Sequence, residues 1–149
     1  MKKIGTYTVR GQGLEADGAI KIHLFDGRFD TGYRITKFTV WPQSVQDAYD
    51  HRACGKLGTT DDLETAAATF MNAQDNREIG WCGTGAGAID SIIIEDGLID
   101  PDNMVVEDLY VYFRSNQNEL TNYMITMDKY DITDWQGALA LVRNNSQNV

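Results

Sequence analysis

Basic residues, histidine, cysteine and proline are all scarce in this sequence, and each shortage narrows what the chain can do. Thirteen Lys and Arg stand against twenty-two Asp and Glu in 149 residues, a formal net charge of −9. No basic run is longer than Lys2-Lys3. Phosphate backbones are bound by clustered cations, so nucleic acid is not expected as the main partner. Only His23 and His51 are present, too few for a cupin-like metal site built on imidazoles. Cys54 and Cys82 fall in no metal-ligand or redox spacing. Both are expected as free thiols from synthesis in a reducing cytoplasm, with a single disulfide between them as the alternative. Residues 1–10 lack the continuous apolar run of a signal peptide, and no stretch reaches transmembrane length. No membrane association is expected.

Two prolines beside fourteen glycines, with aromatics spread along the whole length, argue against a disordered chain. A length of 149 residues suits one domain with a real core. Period-2 alternation dominates. It predicts strands over 4–12, 19–25, 33–41 (ended by Pro42), 52–59, 77–82 and 88–95. The first of these, within 1–12, is read as an N-terminal strand or an arm reaching a neighbouring subunit. Two more strands follow. In one, Val105, Leu109, Val111 and Phe113 alternate with Val106, Asp108, Tyr110 and Tyr112. In the other, Tyr123, Ile125 and Met127 oppose Met124, Thr126 and Asp128. The polar stretch 115–119 fits a loop joining these two as an antiparallel pair. Thr60 before Asp61-Asp62-Leu63-Glu64 looks like a helix start, with a long excursion as the alternative. Thr133 or Asp134 can cap a C-terminal helix bearing Trp135, Ala138, Leu139 and Val142.

Roughly seven or eight strands with regular turn signals, and no alternation with long helices, define an all-β fold. The expected architecture is a single-domain jelly-roll-like sandwich or small barrel with one or two short helices.

Candidate chemistry is thin. Gly83 to Gly87 follows a strand, as a phosphate loop would, but the residues after it are β-forming and supply no helix N-terminus. A flexible turn is the better account. Asp26/Asp30 and Asp96/Asp100/Asp102/Asn103 could offer oxygens to calcium, yet neither matches an EF-hand and Asp and Asn are ordinary turn residues. A Cys–His nucleophile pair could form only between His51 and Cys54 or Cys82. The aromatics are the stronger lead. Trp41, Trp81, Tyr110, Tyr112, Tyr123, Tyr130 and Trp135 exceed what one inward face needs. Both faces of the strand carrying Tyr110 and Tyr112 are apolar or aromatic, so the second face needs cover from the Trp135 helix or from another subunit. Tyr110, Tyr112, Tyr123, Tyr130, Trp135 and Trp41 are therefore the interface candidates. No catalytic, cofactor or metal residue is assigned.

Four segments carry a resemblance to a known group: L-F-D-G-R-F-D-T-G-Y-R-I-T-K-F (24–38), D-N-R-E-I-G-W (75–81), I-D-P-D-N-M-V-V-E-D-L-Y-V-Y (99–112) and N-Y-M-I-T-M-D-K-Y-D-I-T-D-W-Q-G-A-L-A-L-V-R-N-N-S-Q (122–147). Together they cover about half the chain. The pattern resembles small virion proteins of tailed bacteriophages, especially from aquatic environments. That resemblance implies a non-enzymatic structural protein that decorates or cements the capsid surface, sits there as a homo-oligomer and has the major capsid protein as partner. A carbohydrate- or receptor-binding module of a tail or fibre is the alternative, and a small β-fold hydrolase a weaker one.

Overall fold

A computed structural model describes residues 2–25, 27–28, 30–44, 50–86 and 92–132 of the chain. The alternating β-branched and aromatic positions form strands because each such residue can place its side chain on one face of a pleat. Among the described residues these are β1 (Lys2–Gly13), β2 (Ile20–Ile22), β3 (Thr31–Pro42), β4 (His51–Gly58), β5 (Glu78–Ala86), β6 (Ile92–Ile93), β7 (Leu98–Ile99), β8 (Leu109–Ser115) and β9 (Thr121–Asp131). Helical structure there is limited to single 3-10 turns at Glu15–Asp17 and Ala67–Thr69. No helix among the described residues is long and apolar enough to cross a membrane. The fold is all-β.

Two antiparallel sheets result. One has the order β1-β9-β3, and the other β2-β8-β4-β5-β6 with β7 also on β5. β9 is central in the first because both neighbours pair along its length, Tyr7 and Ile35 both lying opposite Met127. The sheets meet through one apolar cluster. Ile35, Phe38, Val40, Ile125 and Met127 come from the three-stranded sheet, and Leu57, Leu109, Val111 and Phe113 from the larger one. Each large apolar side chain buried there contributes about 1.5–3 kcal/mol. Along one seam the main chains of the two sheets come close. Gly97 N–H donates to Phe38 O at 2.7 Å, and a Cβ on Gly97 would overlap the carbonyl oxygens of Trp81 and Phe38. Only glycine fits there.

Four expectations change. The strands β8 and β9 are not paired with each other; residues 116–120 carry the chain from one sheet to the other. Pairing would have left β9 unable to hold both β1 and β3. Val105 and Val106 lie outside β8, with Val105 making an isolated bridge to Tyr33. Gly83 to Gly85 lie within β5, opposite Cys54, Ala53 and Arg52, instead of forming a turn. The helix start read at Thr60 does not develop, and the alternative, a long excursion before β5, is what forms, holding the Ala67–Thr69 turn. The Lys56 ammonium donates to the carbonyls of Glu64 (2.6 Å) and Phe70 (2.5 Å). In an α-helix the Glu64 carbonyl would instead accept from the N–H four residues on. The C-terminal helix, with Thr133, Asp134 and Trp135, lies outside the described residues.

Candidate functional site

The aromatic side chains proposed as contacts divide sharply by environment. Tyr112 is 1 % exposed and Tyr123 8 %. The Tyr123 ring packs on Phe113 at 5.6 Å between centroids. Both rings belong to the chain's own interior and offer no surface to a partner in this fold. Burial raises both phenol pKa values, that of Tyr112 to about 12. Tyr110 is half-buried against the Leu63, Phe70 and Tyr112 cluster. Tyr130 and Trp41 are half-buried in the three-stranded sheet. Trp135 lies outside the described residues. The second face of β8 is covered by the 59–77 excursion, with Leu63 and Phe70 over Tyr112.

A buried ion pair anchors that cover. Lys56 sits on the outer face of β4 and its side chain is fully buried, 3.2 Å from Glu78 Oε2. Glu78 Oε1 accepts from Asn72 N–H and Trp81 Nε1–H, both at 2.9 Å. The ammonium also lies over the Phe70 and Tyr112 rings at 4.5 and 5.2 Å. The Tyr112 hydroxyl donates to Thr60 O at 2.7 Å and accepts from Leu63 N–H at 3.2 Å. The Lys56 ammonium, the Glu78 carboxylate and the Tyr112 hydroxyl each have partners, which is what makes a buried charge pair tolerable. This network is architectural. Lys56 falls within the strand expected over 52–59, but its role is hidden in the sequence because a lysine in a β-pattern defaults to solvent.

Beyond the cover, the same sheet face is open. A concavity of about 1040 Å³ crosses β8, β4, β5 and β6, lined by Arg114, Asn116, Arg52, Cys54, Gly83, Gly85 and Ile93 among others. The glycines leave its floor flat, since a Cβ on Gly83 would meet only Cys54 Cβ, at 3.8 Å. Arg114 is held to Glu15 at 3.1 Å.

The outer face of the three-stranded sheet is the second open surface, and it is basic. Strands β1, β3 and β9 together hold Lys2, Lys3, Arg10, Arg34, Lys37 and Lys129 against Asp128 and Asp131, and of these Lys3, Arg10, Arg34, Lys37 and Asp128 lie on the outer face, opposite to the buried Ile125 and Met127. Six cations against two anions give +4 in a chain of net −9, so the rest of the sequence carries −13. On this face Asp128 accepts from Thr6 Oγ1 at 2.8 Å and pairs with Lys3 at 3.3 Å. The Thr6 hydrogen bond, then Lys3 and Arg34, outweigh partial burial and hold its carboxyl below the usual range. Arg34 stacks over Tyr130 at 5.5 Å. Arg10 lies opposite Met124 and Lys37 opposite Thr126, both cations exposed. Alternation identified these faces singly; their assembly into one basic surface needed the pairing of the first strand with the last.

The reactive candidates are apart. His51 and Cys54 are three positions apart on β4, which turns them to opposite faces. His51 is buried with Nδ1 2.7 Å from Glu119 Oε1, and His23 is exposed. Cys54 and Cys82 are free thiols, on the outer and inner faces respectively, and burial raises the pKa of both. Among the calcium candidates, Asp96 accepts from Thr39 Oγ1, and Asn103 bridges the Ile35 N–H and C=O. Among the described residues no three His, Cys, Asp or Glu side chains are grouped to hold a metal.

The chain thus presents a two-sheet β fold with one basic face and one shallow groove. In comparisons with known proteins, no family model, curated protein or solved structure matches it.

Proposed function

We propose that this chain is a non-enzymatic structural protein of a bacteriophage virion, seated on the capsid surface through contacts with the major capsid protein. The observation that carries the reading is the segregation of charge: a flat basic sheet face on an otherwise strongly acidic chain. Such a face orients a protein on an acidic surface and turns the acidic remainder outward, where it discourages non-specific association. The nested pairing of β1 with β9 and β2 with β8 supports a jelly-roll-like winding, common in proteins that work by contact area. The four segments resembling phage virion proteins point the same way.

The test is co-purification with intact capsids. The chain is expected at a fixed ratio to the major capsid protein. The substitutions Arg10→Glu and Lys37→Glu together are expected to lower occupancy at least tenfold while leaving the folded state unchanged by circular dichroism. A fixed ratio to tails, or no association with particles, overturns the reading.

The open groove across β4, β5 and β8 favours one alternative, a carbohydrate- or receptor-binding module of a tail or fibre. Its flat glycine floor and mostly apolar lining, with Arg52 at the wall, suit the ring faces of an extended sugar chain. Retention on a glycan array, lost on Gly83→Trp, would select it.

A further inference from the structure

Sheet edges are hazards that proteins protect, and one edge here is unprotected. β1 runs the twelve residues Lys2–Gly13 and pairs with β9 along one side; among the described residues no strand lies on its other side. The remaining edges are treated differently. That of β3 is capped by Gly97 donating to Phe38 O and by the Tyr33–Val105 bridge. In the larger sheet the edge strands β2, β6 and β7 have three, two and two residues. Short edges, prolines, inward charges and bulges are the usual protection. β1 has a bulge only near its start, between Lys3 and Gly5. Its middle, Gly5-Thr6-Tyr7-Thr8-Val9, has no charge and no proline, and Tyr7 is 49 % exposed.

We infer that β1 pairs antiparallel with β1 of a second copy of this chain, across a two-fold axis at Tyr7. Centred there, Thr6 faces Thr8 and Gly5 faces Val9, and each pair occurs twice. Over Gly5 to Val9 no two cations are directly opposed, and the bulge between Lys3 and Gly5 ends the one-to-one count there. Threonine and aromatic pairs are favourable cross-strand neighbours. A second copy fits better than a foreign strand because the symmetric pairing closes both free edges at once, whereas a foreign strand leaves its own outer edge open. Directly opposed residues point to the same side of a sheet, so the two basic faces become one continuous surface. The inference does not depend on the capsid reading.

Mixed-cysteine crosslinking reads the register. Opposed Cα atoms in an antiparallel pair are about 4.5–5.5 Å apart, within disulfide reach. Two copies of position 6, or of position 8, stand roughly 8 Å apart and are out of reach. Thr6→Cys protein mixed with Thr8→Cys protein is therefore expected to give a disulfide-linked dimer under mild oxidation, and neither variant alone should. Sedimentation of the full chain, in salt that screens the like charge of two copies, is expected to show a dimer. The double substitution Thr6→Lys, Thr8→Lys sets like charges opposite each other twice and should weaken that dimer at least tenfold. Pairing Thr6→Lys with Thr8→Glu should restore it. A chain that stays monomeric without crosslinks, as it would if its own 133–149 segment held this edge, overturns the inference. So does crosslinking of a single variant, or a lysine effect confined to capsid occupancy.

Discussion

Lys56 and Glu78 are the side chains on which the outer cover depends most. Fully buried, they are tolerated because two carbonyls, an amide N–H, an indole N–H and two ring faces complete their shells. Removing one partner leaves the other charge buried alone. Lys56→Met is therefore expected to destabilise the protein by about 3–5 kcal/mol in urea unfolding. The double variant Lys56→Met, Glu78→Gln is expected to recover part of that loss. A single-variant change below about 1 kcal/mol would show that the pair does not anchor the cover. Nothing local in the sequence marks this pair. The alternation that placed Lys56 in a strand was right, but a 59–77 excursion folding back on that strand is a long-range event.

At the scale of elements, several carboxylates fasten strand ends and turns. Asp108 accepts from the N–H groups of Leu24 and Phe25 just beyond β2, and pairs with Lys21 at 3.1 Å. Burial raises its pKa, but the Phe25, Lys21 and Leu24 hydrogen bonds outweigh burial and leave it lowered. Asp75 behaves alike, with Arg77 overcoming burial, and Asp128 is lowered as well. A folded-state pKa below the unfolded value contributes stability that is present above the unfolded pKa and lost as pH falls through the folded one. Stability is thus expected to hold above about pH 5 and to fall progressively below about pH 4, the unfolded carboxylate range. Asp108→Asn should flatten that acid limb in denaturant titrations at several pH values. An unchanged limb would remove Asp108 from the account. The loop 116–120 joins strands of different sheets. Its polarity identifies a connection, but not whether the strands it joins share a sheet, because both outcomes need the same solvated residues.

For the whole molecule, a net charge of −9 with +4 on one sheet means that the remaining −13 repels itself. Self-repulsion destabilises the compact state, and salt screens it. Raising ionic strength from about 10 to 150 mM shortens the screening length from roughly 30 to 8 Å. The melting temperature is expected to rise over that range, and binding through the basic face to weaken. A melting temperature that falls instead would show that specific ion pairs, such as Lys21–Asp108, outweigh the general repulsion.

Period-2 patterning was enough to determine the all-β class, the cores of most strands, and the shared face of Ile125 and Met127, because strand and core follow from alternation within a few residues. The candidate surfaces were legible only in part. Tyr110, Tyr112 and Tyr123 look alike in sequence, yet two are interior and one half-buried, since burial depends on what packs above a strand. The pairing of β1 with β9, more than a hundred residues apart, was decided only in the tertiary structure. That pairing gathers cations from distant segments and, among the described residues, leaves one long edge without a strand beside it, and no local signal encodes either result.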